Sequence, residues 1–126
     1  KSGRDDRKFK GFEDLIDNES THRNKAVFQL FYYCMLYKEN NPEVTLIQPG
    51  VFNSKDLFDP KFDAKIQQTV DKKKYNITNY EQHEDEFKEI LNALLTDIFD
   101  PNVPFDQTED TKKCEYCAYK QICMRA

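Results

Sequence analysis

The chain has 126 residues, of which 38% are hydrophobic and 33% are charged, and its formal net charge is -4. The length is that of one domain. An average globular domain is about 45–50% apolar and about 25% charged, so this chain can form only a small hydrophobic core. No apolar run approaches the ~20 residues of a membrane helix, so we expect no membrane partner. The acidic balance excludes a generally basic nucleic-acid-binding chain, so any DNA contact must be local.

The number of cysteines indicates the redox state of the cellular compartment in which the protein is expected. Four cysteines are present, and we see no basic and apolar leader peptide. This combination leads us to expect a reducing, cytoplasmic compartment, in which metal or cluster ligation is more common than disulfide formation.

The first part of the chain contains one clear helical pattern. Residues 1–20 are polar and predict an irregular segment with a helical turn near residues 12–16. Residues 22–38 predict a helix with apolar positions repeating every three or four residues. We expect Ser20 or Thr21 to cap its start, and Pro42 to end it after two asparagines. The apolar stripe consists of Ala26, Val27, Leu30, Phe31, Cys34 and Met35.

The middle of the chain predicts strands, and a second helix follows. Residues 44–48 are a β-branched run between prolines, and residues 51–58 and 62–70 predict two further strands, with a charged loop at 71–74. Residues 80–99 predict a helix that Asn79 caps and Pro101 ends. Its apolar stripe consists of Phe87, Ile90, Leu91, Leu94, Leu95 and Ile98.

These elements predict an α/β fold, with two main helices on a small mixed sheet and a short Cys-rich helical tail. We expect one domain over residues 1–126, made of an irregular segment at 1–20, a core at 22–99 and a tail at 100–126.

The tail carries the sharpest chemical pattern, a Cys-x2-Cys-x5-Cys sequence formed by Cys114, Cys117 and Cys123. Thiolates at this spacing suit an iron–sulfur cluster or zinc, although both usually have four ligands. Three reduced thiols or a short-range disulfide are the alternatives. Cys34, inside an apolar stripe, is more simply a buried thiol.

A second pattern lies on the first helix. Gln29 and Tyr33 are four residues apart and therefore share a face, and His22 falls on the same side. All three lie at the edge of the apolar stripe. Such a polar stripe either points into a cleft or forms an ordinary solvated helix border.

Four motifs in order resemble the C-terminal part of a PD-(D/E)xK nuclease domain of the RecB/AddB type. They are K-S-G at 1–3, Q-L-F-Y-Y at 29–33, P-F-D-Q-T at 104–108 and C-E-Y-C-A-Y-K-Q-I-C-M-R at 114–125. The resemblance covers nearly the whole chain, least so residues 40–80. It implies that the α/β fold is a fragment of a restriction-endonuclease-like core.

The resemblance also implies roles for particular residues. Lys1 would be the catalytic lysine, and the metal-binding aspartate would come two residues before it. Gln29 and Tyr33 would match a helical Gln-x3-Tyr motif that lines the cleft near the DNA. Cys114, Cys117 and Cys123 would match three ligands of a 4Fe-4S cluster whose first cysteine lies upstream.

The implied activity is Mg²⁺-dependent cleavage of DNA in a recombination or DNA-repair protein, with a helicase domain or subunit as partner. Because the chain lacks the expected metal-binding carboxylates, we expect it to be a fragment that cleaves nothing alone. Two alternatives are a non-catalytic DNA-binding remnant and a zinc-stapled scaffolding domain with no DNA role.

Overall fold

The computed structural model describes residues 6–17, 23–56 and 58–125. The chain separates into two compact units, Lys1–Leu95 and Thr96–Ala126. The first unit contains strand β1 (Lys8–Phe9), helix α1 (Lys25–Asn40), strands β2 (Gln67–Val70) and β3 (Lys73–Asn76), and most of helix α2 (Glu84–Phe99). Among the described residues, no helix combines the length and apolarity needed to cross a membrane.

Helix α1 confirms the first predicted helix, with its start moved from residue 22 to Lys25. Asn24 is the N-cap, because its side-chain oxygen accepts a hydrogen bond of 3.1 Å from the amide of Val27. The Asn24 amide nitrogen also donates to the carbonyls of Asp6 and Lys8, at 2.6 and 3.0 Å. Asn24 thus ties the start of α1 to β1. The expected caps, Ser20 and Thr21, lie outside the described residues.

The sheet has the order β1-β2-β3, with β1 parallel to β2 and β2 antiparallel to β3. Asp71 and Lys72 form the β2–β3 turn with φ values of 49° and 64°, the left-handed backbone that a tight two-residue hairpin requires. The prediction of a charged loop at residues 71–74 is therefore confirmed for Asp71 and Lys72 and wrong for Lys73 and Lys74, which belong to β3.

The predicted strand at residues 44–48 is wrong, because a side chain takes the place of a neighbouring strand. The Asn79 amide nitrogen donates to the carbonyl of Thr45 at 3.0 Å, and its oxygen accepts from the amide of Ile47 at 3.1 Å. The amide of Tyr80 then donates to the Ile47 carbonyl at 2.7 Å. These bonds satisfy the backbone of an extended segment without a ladder.

The strand predicted at residues 51–58 is also wrong for its described residues, 51–56 and 58, and only residues 67–70 of the predicted strand at 62–70 are strand. What remains is a single bridge between Gly50 and Lys65, next to a 2.9 Å hydrogen bond from the Val51 amide to the Ala64 carbonyl. A Cβ atom at Gly50 would lie 3.3 Å from that carbonyl oxygen, so glycine permits the close approach.

The core of the first unit is an aromatic cluster around Phe31, which is fully buried. Its ring packs against five other rings at centroid distances of 4.9 to 6.3 Å. Those partners come from β1, the turns that flank the sheet, and α2: Phe9, Phe12, Tyr80, His83 and Phe87. The second predicted helix is confirmed as a 3₁₀ turn (Tyr80–His83) leading into α2, whereas Leu95 and Ile98 of its predicted stripe are exposed.

We expect Asn79→Ala to lower the free energy of unfolding by about 1 kcal/mol, because it removes the hydrogen bonds to the Thr45 carbonyl and to the partly buried Ile47 amide. Urea unfolding followed by circular dichroism measures the loss. Thr78→Ala, at the exposed neighbouring position, is the matched control. An equal effect of both substitutions would contradict the role given to the Asn79 side chain.

Burial lowers the pKa of His83 below its usual value of 6.5. Between the lowered pKa of His83 in the folded chain and its pKa of about 6.5 in the unfolded chain, the unfolded chain binds more protons. The contribution of His83 to stability is therefore complete above about pH 6.5 and is lost as the pH falls toward the folded-state pKa. We expect the urea midpoint of the wild type to fall from pH 7.5 to pH 5.5 more than that of His83→Gln. Burial raises the pKa of Glu86, which acts in the opposite sense, and the variant retains that contribution. Parallel curves for the two proteins would refute the assignment.

Candidate functional site

Gln29 and Tyr33 lie one helical turn apart on α1, and their side chains meet. The Gln29 amide nitrogen donates a hydrogen bond of 2.6 Å to the Tyr33 hydroxyl oxygen. Both residues are exposed, and about half of Tyr33 is accessible. The sequence-based expectation that the two share a helix face is therefore confirmed, and the pair presents polar atoms to solvent.

The pair borders a cleft of about 190 Å³ between α1 and the segment 50–52, which we call the Tyr33 cleft. Gly50 and Val51 form its opposite wall, held in place by the bridge to Lys65 and the hydrogen bond to Ala64. Phe52 stands at the rim with 65% of its surface exposed. The cleft therefore combines hydrogen-bonding groups on one side with an exposed aromatic ring on the other.

A larger and more charged cleft of about 440 Å³ lies on the same unit, and we call it the Arg7 cleft. The guanidinium carbon of Arg7 lies 5.3 Å from the centroid of the Phe62 ring, a cation–π contact. One terminal nitrogen of Arg7, Nη1, is buried without a hydrogen-bond acceptor among the described residues. The remaining charged residues of the lining are Asp6, Lys8, Asp56, Asp59, Lys61, Asp63 and Lys65.

The two clefts adjoin at a pair of aromatic rings. The centroids of Phe52, in the Tyr33 cleft, and Phe62, in the Arg7 cleft, are 5.8 Å apart. Lys1 and His22, the other sequence-derived candidates of this region, lie outside the described residues. Among the candidates, the structure therefore brings together Gln29 and Tyr33.

The second unit holds the three tail cysteines in a series of tight turns. A 3₁₀ turn at Thr111–Cys114 begins at Asp110, whose side chain accepts from the amide of Lys112. The amide of Cys117 donates to the carbonyl of Cys114 at 3.1 Å. The three thiols are partly buried, and no disulfide joins any of them.

Gln107 ties the far end of this tail to the loop before it. Its amide nitrogen donates to the Cys123 carbonyl at 3.4 Å, and its oxygen accepts from Nε of Arg125 at 3.2 Å. The glutamine of the P-F-D-Q-T motif thereby fixes the turn that carries the third cysteine. The sequence contained this motif, but nothing in it indicated which backbone group the glutamine would bind.

The described residues do not by themselves assemble a metal or cluster site. Among them, no group of three or more histidine, cysteine, aspartate or glutamate side chains is arranged to hold a metal ion. This applies both to the carboxylates that Mg²⁺ prefers and to the three thiols expected at an iron–sulfur or zinc site. The ligand roles of Cys114, Cys117 and Cys123 stay predictions.

Cys34 differs from the tail cysteines in its surroundings. It is buried within α1, and burial raises the pKa of its thiol to about 11. A thiol of this kind is overwhelmingly protonated at neutral pH and is a poor nucleophile and ligand. The interpretation of Cys34 as a buried apolar residue is consistent with this position.

Comparison with known families adds a finding that covers almost the whole chain. A sequence model of the PD-(D/E)XK nuclease superfamily matches residues 1–124. The chain belongs to this superfamily. The mixed arrangement of two helices and three short strands is consistent with its restriction-endonuclease-like fold, as the sequence predicted. No curated protein and no solved structure gives a significant match.

Sequence reasoning missed three side chains of this nuclease-superfamily chain. Phe52 and Phe62 were assigned to strands, where they would alternate between faces, whereas the structure places their rings side by side. Arg7 was part of an irregular polar segment with no partner. The phenylalanines at positions 52, 58 and 62 were the available signal, but only the fold shows that Phe52 adjoins the Gln29–Tyr33 pair.

We expect iodoacetamide at pH 7.5 to alkylate Cys114, Cys117 and Cys123 in the folded, metal-free chain and to leave Cys34 unmodified. The reason is that Cys34 is buried and its high pKa leaves almost no thiolate. Mass spectrometry of the digested protein measures each site, and labelling in urea is the control in which Cys34 reacts. Equal labelling of Cys34 in the folded state would contradict the expectation.

Proposed function

We propose that this chain is the C-terminal segment of a Mg²⁺-dependent DNA nuclease of the RecB/AddB type, acting in recombination or DNA repair with a helicase domain or subunit. A cytoplasmic location fits its four unpaired thiols. The observation that carries the proposal is the hydrogen-bonded pair of Gln29 and Tyr33 at the mouth of a cleft, in a chain whose superfamily cleaves nucleic acids.

The chemistry of the pair suits a phosphodiester substrate. The Tyr33 oxygen accepts a hydrogen bond from Gln29, so its own proton is left to donate to an oxygen outside the pair. The Gln29 amide keeps a second N–H donor and a carbonyl acceptor. Together they offer two donors to a phosphate oxygen and one acceptor to a base edge or sugar hydroxyl, which positions a strand along α1.

Hydrolysis requires more than this pair. Bound Mg²⁺ supplies charge that stabilises the phosphate and lowers the pKa of an attacking water. The described residues assemble no metal-binding group, and we propose that the metal-binding carboxylates belong to the part of the longer protein that precedes Lys1. Lys1, as the lysine of the catalytic motif, would stabilise charge that develops beside the metal.

We further propose that the tail cysteines hold a metal centre, either a 4Fe-4S cluster or zinc, completed by a ligand from outside the described residues. Support comes from their spacing and from the Gln107 contacts that fix the turn around Cys123. Such a centre would staple the tail to the segment that supplies the remaining ligand. Iron or zinc in protein prepared without oxygen, lost with Cys123→Ser, tests this assignment.

The activity is tested in the longer protein that the proposal requires, by degradation of linear DNA with Mg²⁺. We expect Lys1→Ala to abolish cleavage and Tyr33→Phe to reduce kcat/KM by about 10-fold, the value of one lost hydrogen bond to a charged phosphate. Tyr37→Phe is the matched control, since it lies one turn further along α1 and is equally exposed, but is not part of the Tyr33 cleft.

Three results would decide against the proposal. Cleavage that survives Lys1→Ala would show that the catalytic motif is misassigned. Cleavage by the 126-residue chain alone would contradict the assignment of the metal carboxylates to other residues. DNA binding without cleavage by the wild type would favour the alternative of a non-catalytic DNA-binding domain.

A further inference from the structure

Phe52 is an exposed aromatic residue held on an anchored backbone. On one side, Gly50 bridges to Lys65 and the amide of Val51 donates to Ala64 at 2.9 Å. On the other side, Asn53 is 1% exposed and its amide nitrogen donates to the Asp56 carboxylate at 3.3 Å. The backbone is thus fixed before and after a ring that is 65% accessible.

The surroundings of Phe52 join two kinds of ligand-binding chemistry. The Gln29–Tyr33 pair lines the same cleft, with hydrogen-bond donors for a phosphate or base edge. On its other side, the Phe52 ring packs against Phe62, which the Arg7 guanidinium covers. Hydrogen-bonding groups, an open ring and a cationic group therefore follow one another across the surface.

The net charge of the Arg7 cleft does not favour a phosphate chain. The Arg7 cleft is lined by four aspartates and by four lysine or arginine side chains, so it carries no net charge. Asp6, Asp59 and Asp63 each accept a backbone amide two residues further along the chain, at 2.9 to 3.1 Å. These carboxylates stabilise turns, and their charge limits counterion release on binding a phosphate chain. An aromatic ring can supply binding energy that does not depend on net charge.

An exposed aromatic ring next to phosphate-binding donors is the arrangement that binds unpaired nucleotides. A base stacked on a side-chain ring contributes about 1–3 kcal/mol in proteins that bind single strands, and the effect tolerates any base. A duplex keeps its bases stacked on each other and offers no free face to such a ring. The ligand that matches Phe52 is therefore a nucleic-acid strand with an unstacked base.

We propose that Phe52 is a base-stacking residue: a DNA strand held by Gln29 and Tyr33 places an unpaired base on the Phe52 ring. Phe62 and Arg7 support that ring from the opposite side. This inference rests on the proposed nuclease function and adds to it a residue that positions the strand. Because the contact is apolar, it contributes to affinity without adding to the salt dependence of binding.

The test is fluorescence anisotropy of the nuclease with a fluorescein-labelled single-stranded oligothymidine and with a duplex of equal length, in EDTA to prevent cleavage. We expect Phe52→Ala to weaken single-strand binding by about 5- to 150-fold, the range for loss of one stacked base. Phe52→Leu keeps an apolar contact with Phe62 but has no aromatic face, and it should lose as much. Phe52→Tyr should retain wild-type affinity.

Phe58 provides the matched control, because it is a phenylalanine in the same loop region, 95% exposed and outside both clefts. Phe58→Ala should leave the Kd unchanged. A second measurement uses 2-aminopurine in the oligonucleotide, whose fluorescence falls when the base stacks. We expect the wild type to quench one position of this probe and Phe52→Leu to abolish that quenching. The slope of log Kd against log salt concentration should be the same in both proteins.

The outcomes separate the two proposals. If the wild type binds and cleaves DNA but Phe52→Ala and Phe52→Leu bind single strands as tightly, the stacking role is overturned and the nuclease function stands. If Phe58→Ala weakens binding as much as Phe52→Ala, the stacking role is likewise overturned. If the wild type binds no DNA, both proposals are overturned.

Discussion

The first unit depends on the packing around Phe31. Its ring contacts Phe9 of β1, Phe12 just after β1, the 3₁₀ turn Tyr80–His83 and Phe87 of α2, so one side chain of α1 joins both ends of the unit's fold. Burial of a phenylalanine contributes about 1.5–3 kcal/mol, and edge-to-face contacts add to this. Aromatic rings thereby form much of the core in a chain with few aliphatic residues. Because this packing fixes the buried face of α1, it also fixes the direction in which the exposed face points.

Two asparagine side chains hold neighbouring segments together through hydrogen bonds to the backbone, as strand-to-strand hydrogen bonds do in larger sheets. Asn24 joins the start of α1 to β1, and Asn79 joins the start of the second helical region to the extended segment at 45–47. Each binds backbone groups of a segment that is distant in the sequence. They position the segments that lead into the two clefts, so the candidate site depends on side-chain amides as well as on the apolar core.

The helices could be predicted from the sequence because apolar residues that recur with a 3.6-residue period are easily recognised over sixteen residues. The strands were not, since a β-branched run such as residues 44–48 predicts an extended backbone but does not identify its partner. That partner is Asn79, more than thirty residues away. For the same reason, the spacing of Gln29 and Tyr33 indicated their contact, whereas the meeting of Phe52 with Phe62 and Arg7 depends on tertiary packing.

The parallel pairing of β1 with β2 has a consequence for how the unit assembles. The β2–β3 hairpin closes through a two-residue turn and needs only local contacts, but β1 must be brought to β2 from far along the chain. Loop closure of that length carries an entropic cost that the local hairpin avoids, so we expect the hairpin to form before β1 docks. With two residues, β1 is held by few ladder hydrogen bonds and by the buried Phe9 side chain, so its opening is a local event. Because Arg7 adjoins this strand, opening of β1 would expose Phe62 and loosen the support behind Phe52, and amide hydrogen exchange at β1 would report that motion.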